Sequence, residues 1–147
     1  MTETNNNQPI LLVEDNPVDL DLTLRALKSQ KLENPILTAR DGEEAIAYIE
    51  KWEKGDPRPV VILLDLKMPK VNGLEVLKEI KSHPVFKSIP VVVLTTSSET
   101  TDVREAYQLG ANSYIVKPVD FEKFLDVAKQ IDLYWRVLNK TDDNIKT

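Results

Sequence analysis

A chain of 147 residues with a formal charge of −5 and a pI near 5.0 has the size of one domain and lacks the basic excess of a nucleic-acid surface. It has no cysteine, which excludes disulfides and thiolate metal sites, and no apolar stretch near the roughly 20 residues of a membrane span. The polar start of the chain carries no basic-then-apolar signal pattern, so a cytoplasmic location is expected.

Apolar runs alternate with helical patterns five times along the chain. The first strand is predicted over 10–13, with Glu14 and Asp15 directly after it. Asn16 and Pro17 read as the N-cap and first position of a helix to about residue 29, with Leu20, Leu24 and Leu27 as its buried stripe and Leu22 beside them. A second strand is predicted over 35–39. The helix after it starts at Asp41, has Glu44 at capping-box spacing, and buries Ala45, Ile46 and Ile49. The third strand, 60–64, has no polar alternation and reads as buried on both faces, with Asp65 at its exit. Asn72 and Glu75 repeat the capping arrangement before Val76, Leu77 and Ile80. A fourth strand over 90–95 ends in Thr95, and its helix, 99–109, stops at Gly110. The fifth strand, 112–116, is followed by Lys117, and a last helix is predicted over 120–138.

Five βα units with short connections predict an α/β fold, a flavodoxin-like (βα)5 doubly wound parallel sheet of strand order 2-1-3-4-5. Ligands of such sheets sit outside the carboxyl ends of the strands. That order brings Asp15, Asp65, Thr95 and Lys117 to one rim. Crowded carboxylates favour a hard divalent cation, and Mg²⁺ suits oxygen donors and bridges to phosphoryl oxygens. Asp65 is then placed to act as a carboxylate nucleophile toward phosphorus, with the Thr95 hydroxyl and Lys117 ammonium on the remaining phosphoryl oxygens. Read alone, each residue has a plainer role. Glu14 and Asp15 suit a helix start, Thr95 a strand end, Lys117 a turn, and Tyr114 a half-buried strand position. His83 reads as a surface or capping residue, and Lys67, Lys70, Lys78, Lys81 and Lys87 as a solvated face.

At these residues the chain resembles the receiver domain of two-component response regulators. The matching pieces are Leu11 to Asp15, Leu63 to Pro69 with Gly73, Val93 to Thr96, and Gly110 to Pro118. The resemblance implies that Asp65 is the phosphoacceptor and that Glu14, Asp15, Asp65 and the Lys67 backbone carbonyl hold Mg²⁺. It also implies that Thr95, Thr96 and Lys117 serve the phosphoryl group, with Tyr114 as the aromatic switch. A sensor histidine kinase is the implied phosphodonor. Glu14 stands where the family more often has Asp, and Thr96 where smaller residues are frequent. A narrower resemblance, to the small stand-alone phytochrome-linked receivers, rests on Pro57-Arg58-Pro59, Leu94 to Ser97 and Tyr134-Trp135.

The expected organisation is a tail over 1–8, the receiver over 9–138 and a flexible tail over 139–147. No DNA-binding domain is expected after residue 138, so output is expected through protein contacts or onward to a downstream phosphotransfer protein. In the last helix, Val127, Leu133, Tyr134 and Val137 widen an apolar stripe beyond what one sheet face needs. Tyr134 and Trp135 therefore predict a partner surface, with a homodimer as one occupant. The alternatives are a degenerate receiver acting as a scaffold and an aspartate-nucleophile phosphatase. The phosphatase calls for another Asp two residues after the nucleophile, where Lys67 stands. A flavin carrier of the same topology calls for a phosphate loop where Glu14 and Asp15 would repel phosphate.

Overall fold

Aliphatic runs without polar alternation hide both faces of a strand, and here they build the middle of one sheet. The computed structural model describes residues 8–29, 32–68, 71–95, 100–117, 121–130, 133, 136 and 137. Its elements are β1 (Ile10–Val13), α1 (Pro17–Lys28), β2 (Ile36–Ala39), α2 (Gly42–Glu53), β3 (Val61–Asp65) and α3 (Gly73–Ser82), then β4 (Val91–Thr95), α4 (Thr100–Gln108), β5 (Ser113–Val116) and α5 (Phe121–Gln130). A 3-10 turn, Phe86–Ser88, leads into β4. The strand order is β2-β1-β3-β4-β5 with every pairing parallel, as the βα pattern predicts. Residues 1–7 of the expected first tail, the whole tail over 139–147, Lys70, Thr96, Ser97, Tyr134 and Trp135 lie outside the described residues. Among the described residues, no helix is long and apolar enough to cross a membrane.

Successive strand residues point to opposite faces, so the sheet divides its core in two. Leu11, Val13, Ile62, Leu64, Val91 and Val93 pack toward α2, α3 and α4 through Ala45, Trp52, Leu77 and Ala106. Ile10, Leu12, Val61, Leu63, Val92 and Leu94 pack toward α1 and α5 through Leu27, Phe124 and Ala128. Burying each large aliphatic side chain is worth roughly 1.5–3 kcal/mol, so the ends of β1 and β3 project from a rigid base. What they carry is held in place.

Helix starts follow local hydrogen bonding. The Asn16 side chain accepts from the Val18 and Asp19 amides, with Pro17 next to the cap. Asn72 and Glu75 form a complete capping box. At α2, Asp41 accepts from the Glu44 amide, but the Glu44 carboxylate reaches past the cap to the Arg40 amide. Gly110 follows α4 with a φ of 109°, in the left-handed region that ends helices. The His83 Nδ1 accepts from the Val85 and Phe86 amides, which leaves Nε2–H to donate to Glu53 at 2.9 Å. It is a capping residue.

Three expectations are corrected. Leu22 is 47% exposed, because the stripe of α1 runs through Leu20, Thr23, Leu24 and Leu27 and leaves position 22 on the far side. Lys81 does not belong to a solvated face. Its Nζ donates to the carbonyls of Lys87 and Ile89 and to Asn112 Oδ1, at 3.0, 2.8 and 3.3 Å. Its stem lies against Gly110, so the ammonium ties α3 to the approaches of β4 and β5. Leu133 and Val137 are buried in the core on the α1 and α5 side instead of widening an outer stripe.

Candidate functional site: an acidic crevice around Asp65

The site lies where β1, β3 and β5 end. Glu14 and Asp15 leave β1, Asp65 is the last residue of β3 (one position further into the strand than predicted), and Lys117 follows β5. Carboxylate oxygens of Glu14, Asp15 and Asp65 all lie within 4.8 Å of one another. Glu14 and Asp65 are buried, whereas Asp15 faces solvent. The Asn16 amide donates to Glu14 Oε2 at 3.2 Å, and the Lys67 amide donates to Asp65 Oδ1 at 3.3 Å.

Gly73 approaches the end of β3 closely. A Cβ there would run into the Asp65 carbonyl oxygen and sit 2.6 Å from Leu66 Cα. Its amide donates to the Leu66 carbonyl at 2.8 Å, fixing the start of α3 to the turn behind Asp65. Beside Asp15 opens a cleft of about 440 Å³, bordered by Lys67, Met68, Asn72 and Asp102. The Lys67 ammonium stands 4.0 Å from Asp102 of α4 across it.

Lys117 is the only cation paired with these acids among the described residues, and it is shared. Its Nζ lies 2.8 Å from Glu14 Oε1, 3.0 Å from Asp19 Oδ2 and 3.3 Å from Asp65 Oδ2, with the lysine side chain 7% exposed. The shortest of these is poorly directed, since Glu14 Oε1 is sealed from solvent and accepts no well-formed hydrogen bond. One ammonium cannot neutralise so many carboxylates. Burial, and then the neighbouring Glu14 charge, push the Asp65 carboxyl up to about 7 against the opposing pull of Lys117. Burial alone would lower Lys117, but its close contacts with Glu14 and Asp19 and the charges of Asp65 and Glu14 outweigh that and raise it.

The residues present fit a hard divalent cation. The donors are all oxygens, they converge, and the crevice has more negative charge than Lys117 balances. Of the other expected residues, Thr95 ends β4 opposite Val116 of β5 and so reaches the same rim by its backbone. Tyr114 is 39% exposed and meets Tyr107 of α4 edge to face, with ring centroids 5.9 Å apart. Asp19 escaped the sequence reading. Three residues after its cap, an acid reads as a partner for the helix dipole, and nothing local shows that α1 turns it toward Lys117.

A doubly wound parallel domain with an acidic, lysine-bridged crevice at the carboxyl ends of its strands is what fold and site define together. The chain matches the response regulator receiver domain over residues 10–129, and it belongs to that family. It is similar to response regulator Rcp1 of Synechocystis, with 40% identity over 135 residues that span 90% of this chain and 92% of Rcp1. The solved Mn(2+)-bound form of Rcp1 superposes with a TM-score of 0.70, at 40% identity over 87% of this chain and 91% of that one. The bacteriophytochrome response regulator AtBRR gives a TM-score of 0.79 and 46% identity over 88% and 95% of the two chains. The phosphorylated cyanobacterial phytochrome response regulator RcpA gives 0.73 and 42% over 88% and 94%. The chain is thus a receiver related to phytochrome response regulators.

Proposed function

We propose that this chain is a response regulator that takes a phosphoryl group from a phytochrome-type sensor histidine kinase onto Asp65. The observation that carries this reading is the convergence of three carboxylates within 4.8 Å of one another, with Lys117 3.3 Å from Asp65. An Asp65 oxygen attacks the phosphorus of a phosphohistidine. The O–P bond forms as the P–N bond breaks, and the electron pair leaves on the imidazole nitrogen, which takes up a proton from water. Mg²⁺ bound by Glu14, Asp15, Asp65 and the Lys67 carbonyl would neutralise charge on the transferring group. Lys117 and the hydroxyls of Thr95 and Thr96 hold phosphoryl oxygens, and a reoriented Tyr114 passes the change to the surface of α4, β5 and α5. The receiver unit is residues 9–138, the protein works in the cytoplasm, and its output goes to a protein partner, such as a downstream phosphotransfer protein. Tyr134 and Trp135 belong to that partner surface or to a homodimer. Support for the kinase type comes from the phytochrome regulators that the chain resembles.

The test is labelling with a small phosphodonor. Mg²⁺ should be required for addition of one acid-stable, base-labile phosphoryl group, and chelation or Asp65→Asn should remove it. Full labelling of the Asn variant overturns the assignment.

A further inference from the structure

We infer that Asp19 is a positioning residue for Lys117, holding its ammonium while a divalent cation occupies the acidic crevice. The inference rests on the metal site proposed above and adds a fourth carboxylate with a different task. Lys117 Nζ has three carboxylate partners, Glu14, Asp19 and Asp65, at 2.8, 3.0 and 3.3 Å. Two of them, Glu14 and Asp65, belong to the group of acids that converges on one point, and Asp19 does not. A cation bound there draws the Glu14 and Asp65 oxygens to itself and repels the lysine ammonium. The carboxylate left to the ammonium is Asp19.

Its position suits that task. Asp19 is in the first turn of α1, with its backbone amide fixed by the Asn16 side chain at 3.0 Å. Its side chain is 28% exposed, so it is less desolvated than the buried Glu14. Without Asp19, the ammonium has only the oxygens that the cation needs, and the two compete. With it, Lys117 stays beside Asp65 without opposing the metal, ready to meet a phosphoryl oxygen.

A plain negative charge near the site would also favour the metal, and a double-mutant cycle separates the two ideas. Mg²⁺ affinity is measured for wild type, Asp19→Asn, Lys117→Ala and the double variant, with thermal melts to verify folding. Asp19→Asn should weaken Mg²⁺ binding roughly five- to tenfold when Lys117 is present, and by clearly less when it is absent. A loss equal or larger in the Lys117→Ala background makes Asp19 a simple charge and overturns the inference. So does an unchanged affinity in both backgrounds. Wild type that takes up no Mg²⁺ is a different failure, that of the metal site itself.

Discussion

Two lysines, both largely withdrawn from water, stand outside the two ends of the sheet and differ in what surrounds them. Lys81 meets three neutral oxygens, two carbonyls and an amide, and burial lowers its pKa. Lys117 meets three carboxylates that raise its pKa in spite of burial. Neutral acceptors satisfy the hydrogen bonds of an ammonium and leave no negative charge over, so nothing there favours a second cation. Carboxylates leave an excess of negative charge, which adds to the effect of burial in pushing the Asp65 carboxyl up to about 7. The first lysine closes a structure and the second sits among converging oxygens that suit a divalent cation. That difference separates a structural clamp from a site of chemistry more clearly than burial does.

The contrast can be broken most forcefully by removing each ammonium. In metal-free protein at pH 8, Lys117→Met should lower stability by about 3–5 kcal/mol, because it strands the buried Glu14 and Asp65 charges. Added Mg²⁺ should restore most of that loss and bind this variant as tightly as wild type or slightly more so. Lys81→Met should cost about 1.5–3 kcal/mol and recover nothing with Mg²⁺. Urea unfolding with and without the metal reads both. Equal rescue of the two variants would dissolve the distinction.

Asp65 gives a smaller effect with a definite sign. Its folded pKa of about 7 exceeds the ordinary 3.8, so the folded state binds the extra proton between those values. This group's contribution to stability is present below pH 3.8 and is lost as pH rises through 7. Asp65→Asn carries no such loss. Without metal it should match wild type near pH 4 and exceed it by about 2–4 kcal/mol above pH 8. A stability gap that does not vary with pH would contradict the charge balance described for Glu14, Asp65 and Lys117.

The smallest effect sharpens the comparison on the metal side. A proton on Asp65 competes with a divalent cation, so Mg²⁺ affinity should fall toward about tenfold per pH unit below pH 7. Lys81→Met should follow the same curve. A flat profile would mean that Asp65 is not a ligand.

The sequence made the rim legible because its chemistry sits at the ends of uninterrupted apolar runs, where strand order alone decides which residues meet. Glu14, Asp15, Asp65 and Lys117 converge for that reason. Asp19 and Lys81 were hidden because their roles depend on how a helix face turns toward a partner 98 or 31 residues away, which no local pattern records. Lys81 looked like an ordinary solvated charge, and Asp19 like any acid in the first turn of a helix. Leu133 and Val137 show the same limit, since an apolar stripe does not say whether its own core or another chain covers it.

The central claim is that Asp65, and no neighbouring acid, carries the phosphoryl group. Borohydride reduction of the protein labelled in the presence of Mg²⁺, followed by peptide mass mapping, reads this directly. The account predicts reduction of the acyl phosphate to homoserine at position 65, dependent on Mg²⁺. Homoserine absent from position 65, or the corresponding alcohol at Glu14, Asp15 or Asp19, would contradict it.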